Sequence, residues 1–263
     1  MCKECGCDQG GGGAKIAGHL HEHEHDHLDG HEHHHHEHSH ERPRRTVNLN
    51  RSLLDKNDRL AEQNRGSFRA RGLLVLNVVS SPGSGKTTFI RETAVRLAGR
   101  LSVGVIVGDL ATDNDAARLR TAGIPVVQIT TGTVCHLDAE MVSRAAAQMD
   151  LDRLDVLVIE NVGNLVCPAD FDLGEDLRVI LLSVTEGEDK PLKYPPLFHS
   201  AHVAVVTKSD LTAPAGFDRS LALKNLARIS HHAEVFELSA KTGDGMQAWV
   251  DYLLKQHATG RRG

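Results

Sequence analysis

Leu73-Leu74-Val75-Leu76-Asn77-Val78-Val79-Ser80-Ser81-Pro82-Gly83-Ser84-Gly85-Lys86-Thr87-Thr88 changes character twice within one short stretch. The apolar run 73–79 reads as a buried strand, and the small residues from Ser80 to Gly85 read as a tight loop. The pattern over 86–99 is that of a helix. A strand that passes through a glycine-rich loop into a helix aims several backbone N–H groups at one point, and anions bind there.

Outward from this stretch, short Val/Ile/Leu runs recur at 103–108, 126–129, 155–160, 178–184, 202–207 and 235–238. Helical patterns lie between several of them, at 136–149, 218–230 and 244–256 in addition to 86–99. Near-continuous apolar strands alternating with helices predict an α/β fold, a mostly parallel sheet covered by helices on both faces. Ligands on such sheets bind beyond the carboxyl ends of the strands. The chain divides into a tail at 1–45, a connecting segment at 46–70 (helical from 51), the main domain at 71–258 and a disordered end at 259–263.

Composition narrows the function. The chain has 263 residues, and 30 basic against 35 acidic side chains give a net charge of −5. Neither nucleic acid nor an anionic membrane is favoured by that balance. Aromatic residues make up only 3%, too few for base-stacking surfaces. No apolar run is long enough for a membrane span, and Met1-Cys2-Lys3-Glu4-Cys5 opens no secretion signal. Five cysteines, an odd number grouped near other metal-ligand types, fit a reducing cytoplasm.

The loop resembles a Walker A motif, with Gly83, Ser84, Gly85, Lys86, Thr87 and Thr88 placed to hold phosphates. Lys86 would reach the β and γ oxygens and Thr87 would ligate Mg²⁺. Ser80 stands where the strict pattern has its first glycine; a chance glycine-rich turn is the alternative. Two carboxylates close strands nearby: Asp109 after Val105-Ile106-Val107-Gly108, and Glu160 after Val156-Leu157-Val158-Ile159. They are candidates for holding magnesium and organising the attacking water, although either could simply cap its strand. Glu160-Asn161-Val162-Gly163 resembles the Asp-x-x-Gly switch of GTPases. Asp113 and Asp115 are further candidates, or the solvated start of a helix.

Thr207-Lys208-Ser209-Asp210 resembles the guanine-reading Asn-Lys-x-Asp motif, with Thr207 in place of Asn. Asp210 would accept from the base, and the Lys208 stem would cover the ring. Ser239-Ala240-Lys241 resembles the fifth GTPase motif. Two such motifs in the right order select GTP over ATP.

The soft donors form a second theme. Cys2, Cys5 and Cys7 supply three thiolates, and the N-terminal amine can add a nitrogen, a set that suits planar Ni²⁺ or tetrahedral Zn²⁺. Residues 19–40 contain twelve histidines interleaved with Glu and Asp. That composition cannot bury enough apolar surface to fold, and it reads as disordered metal storage. Cys135-His136, opening the 136–149 helix, and Cys167, in the loop after Glu160, form another candidate set. Buried cysteine is also often only a small hydrophobe. His199, His202, His231, His232 and His257 read as ordinary surface or satisfied residues.

Together, Met1-Cys2-x-x-Cys5-Gly6-Cys7, Ser81-Pro82-Gly83-Ser84-Gly85-Lys86-Thr87, Gly132-Thr133-x-Cys135-His136-Leu137-Asp138 and Glu160 through Pro168 resemble the hydrogenase nickel-incorporation GTPases, the HypB family. The resemblance covers residues 1–7 and essentially all of 70–255. It implies a dimerising GTPase that delivers nickel to the [NiFe] hydrogenase large subunit with a maturation partner protein. Cys2, Cys5 and Cys7 would then form a high-affinity nickel site. Cys135, His136 and Cys167 would form a nickel or zinc site at the dimer interface, and Lys193 would reach the partner subunit's nucleotide. The expected cycle is that GTP and Mg²⁺ stabilise a dimer, after which hydrolysis shifts the Cys167 loop and lowers nickel affinity. The urease accessory GTPases share the fold, but their compact Cys-Pro-His motif is missing here. A nickel-storage protein with a regulatory GTPase domain is the other alternative.

Overall fold

The computed structural model describes residues 44–260. Cys2, Cys5, Cys7, the 19–40 histidines and residues 261–263 lie outside the described residues. A long helix, α1 (Arg44–Ala70), leads into the domain. Seven strands follow: β1 (Leu74–Val79), β2 (Val103–Asp109), β3 (Val126–Thr130), β4 (Val156–Glu160), β5 (Leu177–Ser183), β6 (Val203–Thr207) and β7 (Glu234–Glu237). They form one sheet in the order β3-β2-β4-β1-β5-β6-β7. Every pairing is parallel, so the sheet is wholly rather than mostly parallel.

Six further helices connect the strands, α2 (Lys86–Leu97), α3 (Asn114–Thr121), α4 (Ala139–Ala146), α5 (Lys190–Lys193), α6 (Pro195–His199) and α7 (Arg219–Ile229), and α8 (Met246–Gly260) follows the last strand. Alternate residues of β1 show how both faces are used. Leu74, Leu76 and Val78 pack with Phe89 and Ile90 of α2 and Trp249 and Leu253 of α8. Val75 faces the opposite way, with Phe68 of α1 and Val142 of α4. Beside that cluster, Ile180 and Leu182 of β5 meet Leu197, Phe198, Ala222 and Leu226 of α6 and α7. Burial on both faces is why these strands read as unbroken apolar runs.

α1 lies against this second face and is fixed there by polar contacts. Asn57 receives a bond from Ala139 N at 2.9 Å and donates to Asp172 O at 2.8 Å. Asn64 Nδ2 donates to Ala139 O, and Arg65 clasps Asp172 with two bonds. The helix therefore clamps α4 and the segment before β5, both of which border the metal-ligand candidates.

Several boundaries differ from the sequence reading, beginning with α1, which starts at Arg44, before the helix start expected at 51 and inside the tail expected to run to 45. The helix expected at 136–149 begins only at Ala139, because the Asp138 carboxylate caps it by accepting from Met141 N at 2.7 Å. Cys135 and His136 therefore lie in the turn before the helix rather than opening it. α8 continues to Gly260, beyond the helix end expected at 256 and the domain boundary expected at 258, because nothing between Gln256 and Thr259 breaks a helix. α5 and α6 were not expected; each has proline in its first turn, which removes the usual pattern but suits a helix start. Among the described residues no helix is long and apolar enough to cross a membrane.

Candidate nucleotide and metal sites

The parallel sheet brings five strand ends to one edge. β1 leads through the 80–85 loop into α2, with β4 on one side and β5 on the other. Gly83 and Gly85 have φ of 74° and 97°, values open to glycine but strained for other residues. No side chain caps α2 at Gly85, so the first N–H groups of the helix remain available for an anion.

Ser80, the departure from the strict loop pattern, is fully buried and organises the loop. Its hydroxyl is hydrogen-bonded to Ser84 Oγ, donates to Ser81 O, and accepts from Lys86 Nζ at 3.0 Å. Burial lowers the Lys86 pKa, against the opposing attraction of Glu160 and nearby aspartates.

Thr87 Oγ1 donates to Glu160 Oε1 at 2.8 Å, bringing hydroxyl and carboxylate together where a divalent cation beside a phosphate could sit. Glu160 is almost wholly buried. Burial raises its pKa to about 7, overriding the opposing bond from Thr87 and the charge of Lys86. Asp109 lines the same cleft of about 440 Å³, which also takes in Lys86, Thr87, Thr88, Asp115, Arg118 and Gly163. Its Oδ1 accepts from Ala111 N and Thr112 N at 2.9 and 3.0 Å. Partial burial works to raise its pKa, but these bonds outweigh it and hold the carboxyl below the ordinary aspartate range. Asp113 starts α3 without bonding to its N–H groups.

A second cavity of about 350 Å³ lies beside the loop, lined by Ser84, Gly85, Thr88, Lys208, Asp210, Ser239, Ala240 and Lys241 among others. Ser239 Oγ donates to Asp210 Oδ1 at 2.6 Å, which fixes the carboxylate and leaves its other oxygen for a ligand. Thr207 Oγ1 donates to Ser84 O and Lys208 Nζ to Gly83 O, tying this cavity to the phosphate loop. Lys208, at φ 59°, is the one non-glycine residue with positive φ among the described residues. Such backbone strain is typical where a loop is held to a functional shape. Lys193 lies on α5, paired at the surface with Asp189 at 2.6 Å.

The structure also brings the dispersed soft donors together. Cys135 and Cys167 have their sulfurs 2.9 Å apart. A ligand atom of His136 joins them, all three within 4.8 Å of one another, so the trio could hold a metal ion with little rearrangement. His136 is buried and stacked on Phe171, with ring centroids 3.9 Å apart. Thiolates and imidazole select a late transition metal over magnesium.

Sequence reading singled out Gly163 in the switch-like motif but missed the roles of Asn161 and Asn164, which connect this trio to the nucleotide cleft. Asn161, next to Glu160, presents Oδ1 to Leu137 N at 3.4 Å, adjoining His136, and donates to Asn77 on β1. Asn164 Nδ2 donates to Cys135 O at 3.2 Å. Gly163 lies so close to Pro82 of the phosphate loop that an added Cβ would sit 3.0 Å from Pro82 Cα. On the other side, Thr131 N and Gly132 N bond to Asp109 O and Leu110 O. The signal was available in Asn161-Val162-Gly163-Asn164, where two amides and a glycine immediately follow a strand-ending carboxylate.

Comparison with known proteins agrees with this arrangement. Residues 74–237 match the family described as CobW/HypB/UreG, nucleotide-binding domain. The hydrogenase maturation factor HypB of Escherichia coli (strain K12) is 50% identical over 213 residues, covering 81% of this chain and 73% of that protein. The hydrogenase/urease maturation factor HypB of Helicobacter pylori is 38% identical, covering 81% and 89%. A crystal structure of HypB from Helicobacter pylori in complex with nickel superposes with a TM-score of 0.75 at 38% identity, covering 78% of this chain and 96% of that one. The HypB structure from Archaeoglobus fulgidus gives 0.73 at 39% identity, covering 77% and 99%. The chain belongs to the CobW/HypB/UreG nucleotide-binding family, and within it to the HypB hydrogenase maturation factors.

Proposed function

We propose that this chain is a GTP-hydrolysing nickel metallochaperone that stores nickel and delivers it during maturation of the [NiFe] hydrogenase large subunit. The observation that carries this reading is the contact between the two sites. The loop from Glu160 to Cys167 begins at the Thr87–Glu160 contact and ends in the Cys135–His136–Cys167 group, with Gly163 resting on the phosphate loop between them. A loop that senses the γ-phosphate can then set metal affinity, because coupling is a difference in affinity between two states.

Lys86 and the α2 N–H groups hold the phosphates, and Thr87 with Glu160 and Asp109 holds Mg²⁺, which supplies charge neutralisation to the transferring phosphoryl group. Asp210, Lys208, Ser239, Ala240 and Lys241 hold guanine. Val166, 61% exposed beside Cys167, supplies an apolar rim on which a second copy of the chain could close over Cys135, His136 and Cys167. Lys193 then serves the partner subunit's nucleotide. Cys2, Cys5 and Cys7 form a further nickel site, and the 19–40 histidines form the store. The four regions act as tail, connecting helix, catalytic domain and C-terminal end, in a protein that works in the cytoplasm with a maturation partner.

The guanine assignment has a direct test. Guanine presents two donors, N1–H and the N2 amino group, to the free carboxylate side of Asp210. Asp210→Asn replaces one acceptor with a donor, so GTP should bind at least about 100-fold more weakly. Xanthosine triphosphate, which carries an acceptor at that edge, should gain affinity. Competition titration against a fluorescent nucleotide reads both, and unchanged GTP binding contradicts the assignment.

The magnesium site should be pH-sensitive. With its pKa near 7, Glu160 is largely protonated below neutrality and must lose the proton to support a cation. Mg²⁺-dependent GTP affinity should therefore weaken by up to about tenfold per unit as pH falls below 7. Calorimetry in buffers of different ionisation enthalpy should register proton release on Mg²⁺ binding near pH 7. Glu160→Gln should remove both effects.

A further inference from the structure

His199, His202, His231 and His232, dispersed in sequence, meet in space. His199 ends α6, His202 precedes β6, and His231-His232 form the turn between α7 and β7. Because the sheet is parallel, this places them at the end opposite the phosphate loop. The surface reading of these histidines was correct residue by residue but missed their convergence. The His232 ring lies 5.3 Å, centroid to centroid, from both His199 and His231, edge-on at 81° and 85°. Two imidazoles on one ion at about 2.1 Å and a tetrahedral angle have centroids about 5 Å apart. The His199–His232 and His231–His232 ring pairs have that spacing, and the rings must still turn to bring all three donor nitrogens onto one ion.

The backbone under these rings is fixed. Ser230 Oγ donates to Phe198 O at 2.6 Å, and Ala233 N donates to Ser230 O at 2.9 Å, pinning the turn against α6. His199 Nδ1 lies 3.2 Å from Ile229 O. A carbonyl can only accept, so Nδ1 carries the proton and the Nε2 lone pair of His199 faces outward. Metal-binding histidines are commonly set in this way. His202 differs: its Nδ1 accepts from Arg178 N at 2.9 Å, so its neutral ring carries the proton on Nε2 and it is a neighbour rather than a ligand. The negative end of the α7 dipole meets the His231-His232 turn and favours a cation there.

We propose that His199, His231 and His232 form a surface site for a late divalent transition metal such as Ni²⁺ or Zn²⁺, separate from the Cys135–His136–Cys167 group. Three imidazoles with the remaining positions open to water make an exchangeable site, suited to receiving or passing on an ion rather than to holding the fold. The exposed rings need only rotate onto the ion, a fast motion for surface side chains. The assignment stands on these imidazoles and is independent of which nucleotide the other end of the sheet binds.

Histidine carbethoxylation, read peptide by peptide by mass spectrometry on the full chain, tests it and resolves these residues from those at 19–40. With free Ni²⁺ or Zn²⁺ set by a chelator buffer, His199, His231 and His232 should lose reactivity together, with one common midpoint. Mg²⁺ should protect none of them. In His231→Gln, the midpoint for both His199 and His232 should rise by at least about tenfold, since even an outer partner of a ligand is worth that much. Absence of protection, three different midpoints, or unshifted midpoints in His231→Gln would each overturn the site.

Discussion

Lys86→Ala is expected to lower GTP hydrolysis by about 10³-fold while leaving the fold intact. The ammonium is buried and held only by neutral oxygens, Ser80 Oγ at 3.0 Å and Ser81 O at 3.4 Å. Burial already works against its charge, so a phosphate is a far better partner for it than the neutral oxygens of the loop. Preorganised charge aimed at a transferring phosphoryl group is typically worth about 10²–10³ in rate per donor, and a full cation lies at the upper end. Removing the side chain breaks no direct ion pair, since Lys86 Nζ bonds only to Ser80 Oγ and Ser81 O, and the apolar core around Phe89 and Ile90 is untouched. Single-turnover phosphate release measures the loss, and an unchanged thermal midpoint shows that it is not unfolding. Ser80→Gly, which restores the strict loop pattern but releases Lys86, should give a smaller loss of the same kind.

Cys167→Ala is expected to remove thiolate-bound nickel from the folded domain. Two sulfurs and one imidazole make the candidate set, so losing one sulfur should weaken binding by at least about 10–100-fold. The chain has five cysteines, three of them Cys2, Cys5 and Cys7. Substituting those three in the full-length chain leaves Cys135 and Cys167 as its only thiols. Sulfur-to-nickel charge-transfer absorption then reports this site alone, because the histidines contribute no thiolate band. In that background the band should vanish with Cys167→Ala, and a persisting band at the same nickel concentration would rule out the assignment. GTP turnover measured without nickel should be unaffected by the substitution, since neither sulfur faces the nucleotide cleft.

The parts of the fold readable in advance were those set by local apolar pattern. All seven strands lie within one residue of their expected positions; β1, β2, β4, β5 and β6 are buried runs rich in Val, Ile and Leu, and the edge strands β3 and β7 are less buried. The phosphate loop, the two strand-ending carboxylates and the Thr207–Asp210 segment were legible for the same reason: the topology forces them to one edge. What depends on long-range contact was not legible. The start of α4 is set by the Asp138 cap and by amides reaching from Asn161 and Asn164, distant in sequence. The four histidines between 199 and 232 needed the sheet to assemble before their proximity could appear. Ser80 and Thr207 looked like weakened motif positions, yet both hydroxyls bond within or to the phosphate loop. A motif mismatch in a small polar residue can therefore preserve the interaction the motif provides.

The proposed link between nucleotide and metal rests on short, named contacts. Glu160 meets Thr87 at one end, Asn161 and Asn164 hold the Cys135–Leu137 turn, and Gly163 bears on Pro82. Any displacement of the phosphate loop on losing the γ-phosphate must be absorbed at these points. The Cys135–Cys167 separation is the natural place for it to appear, because the two cysteines sit on separate segments.

The most direct measurement is the Ni²⁺ dissociation constant of that cysteine pair, read by charge transfer in the full chain lacking Cys2, Cys5 and Cys7, first with GDP and then with a non-hydrolysable GTP analogue. Tighter binding with the analogue, by about 5-fold or more, is the predicted result. The same constant with both nucleotides would contradict the account.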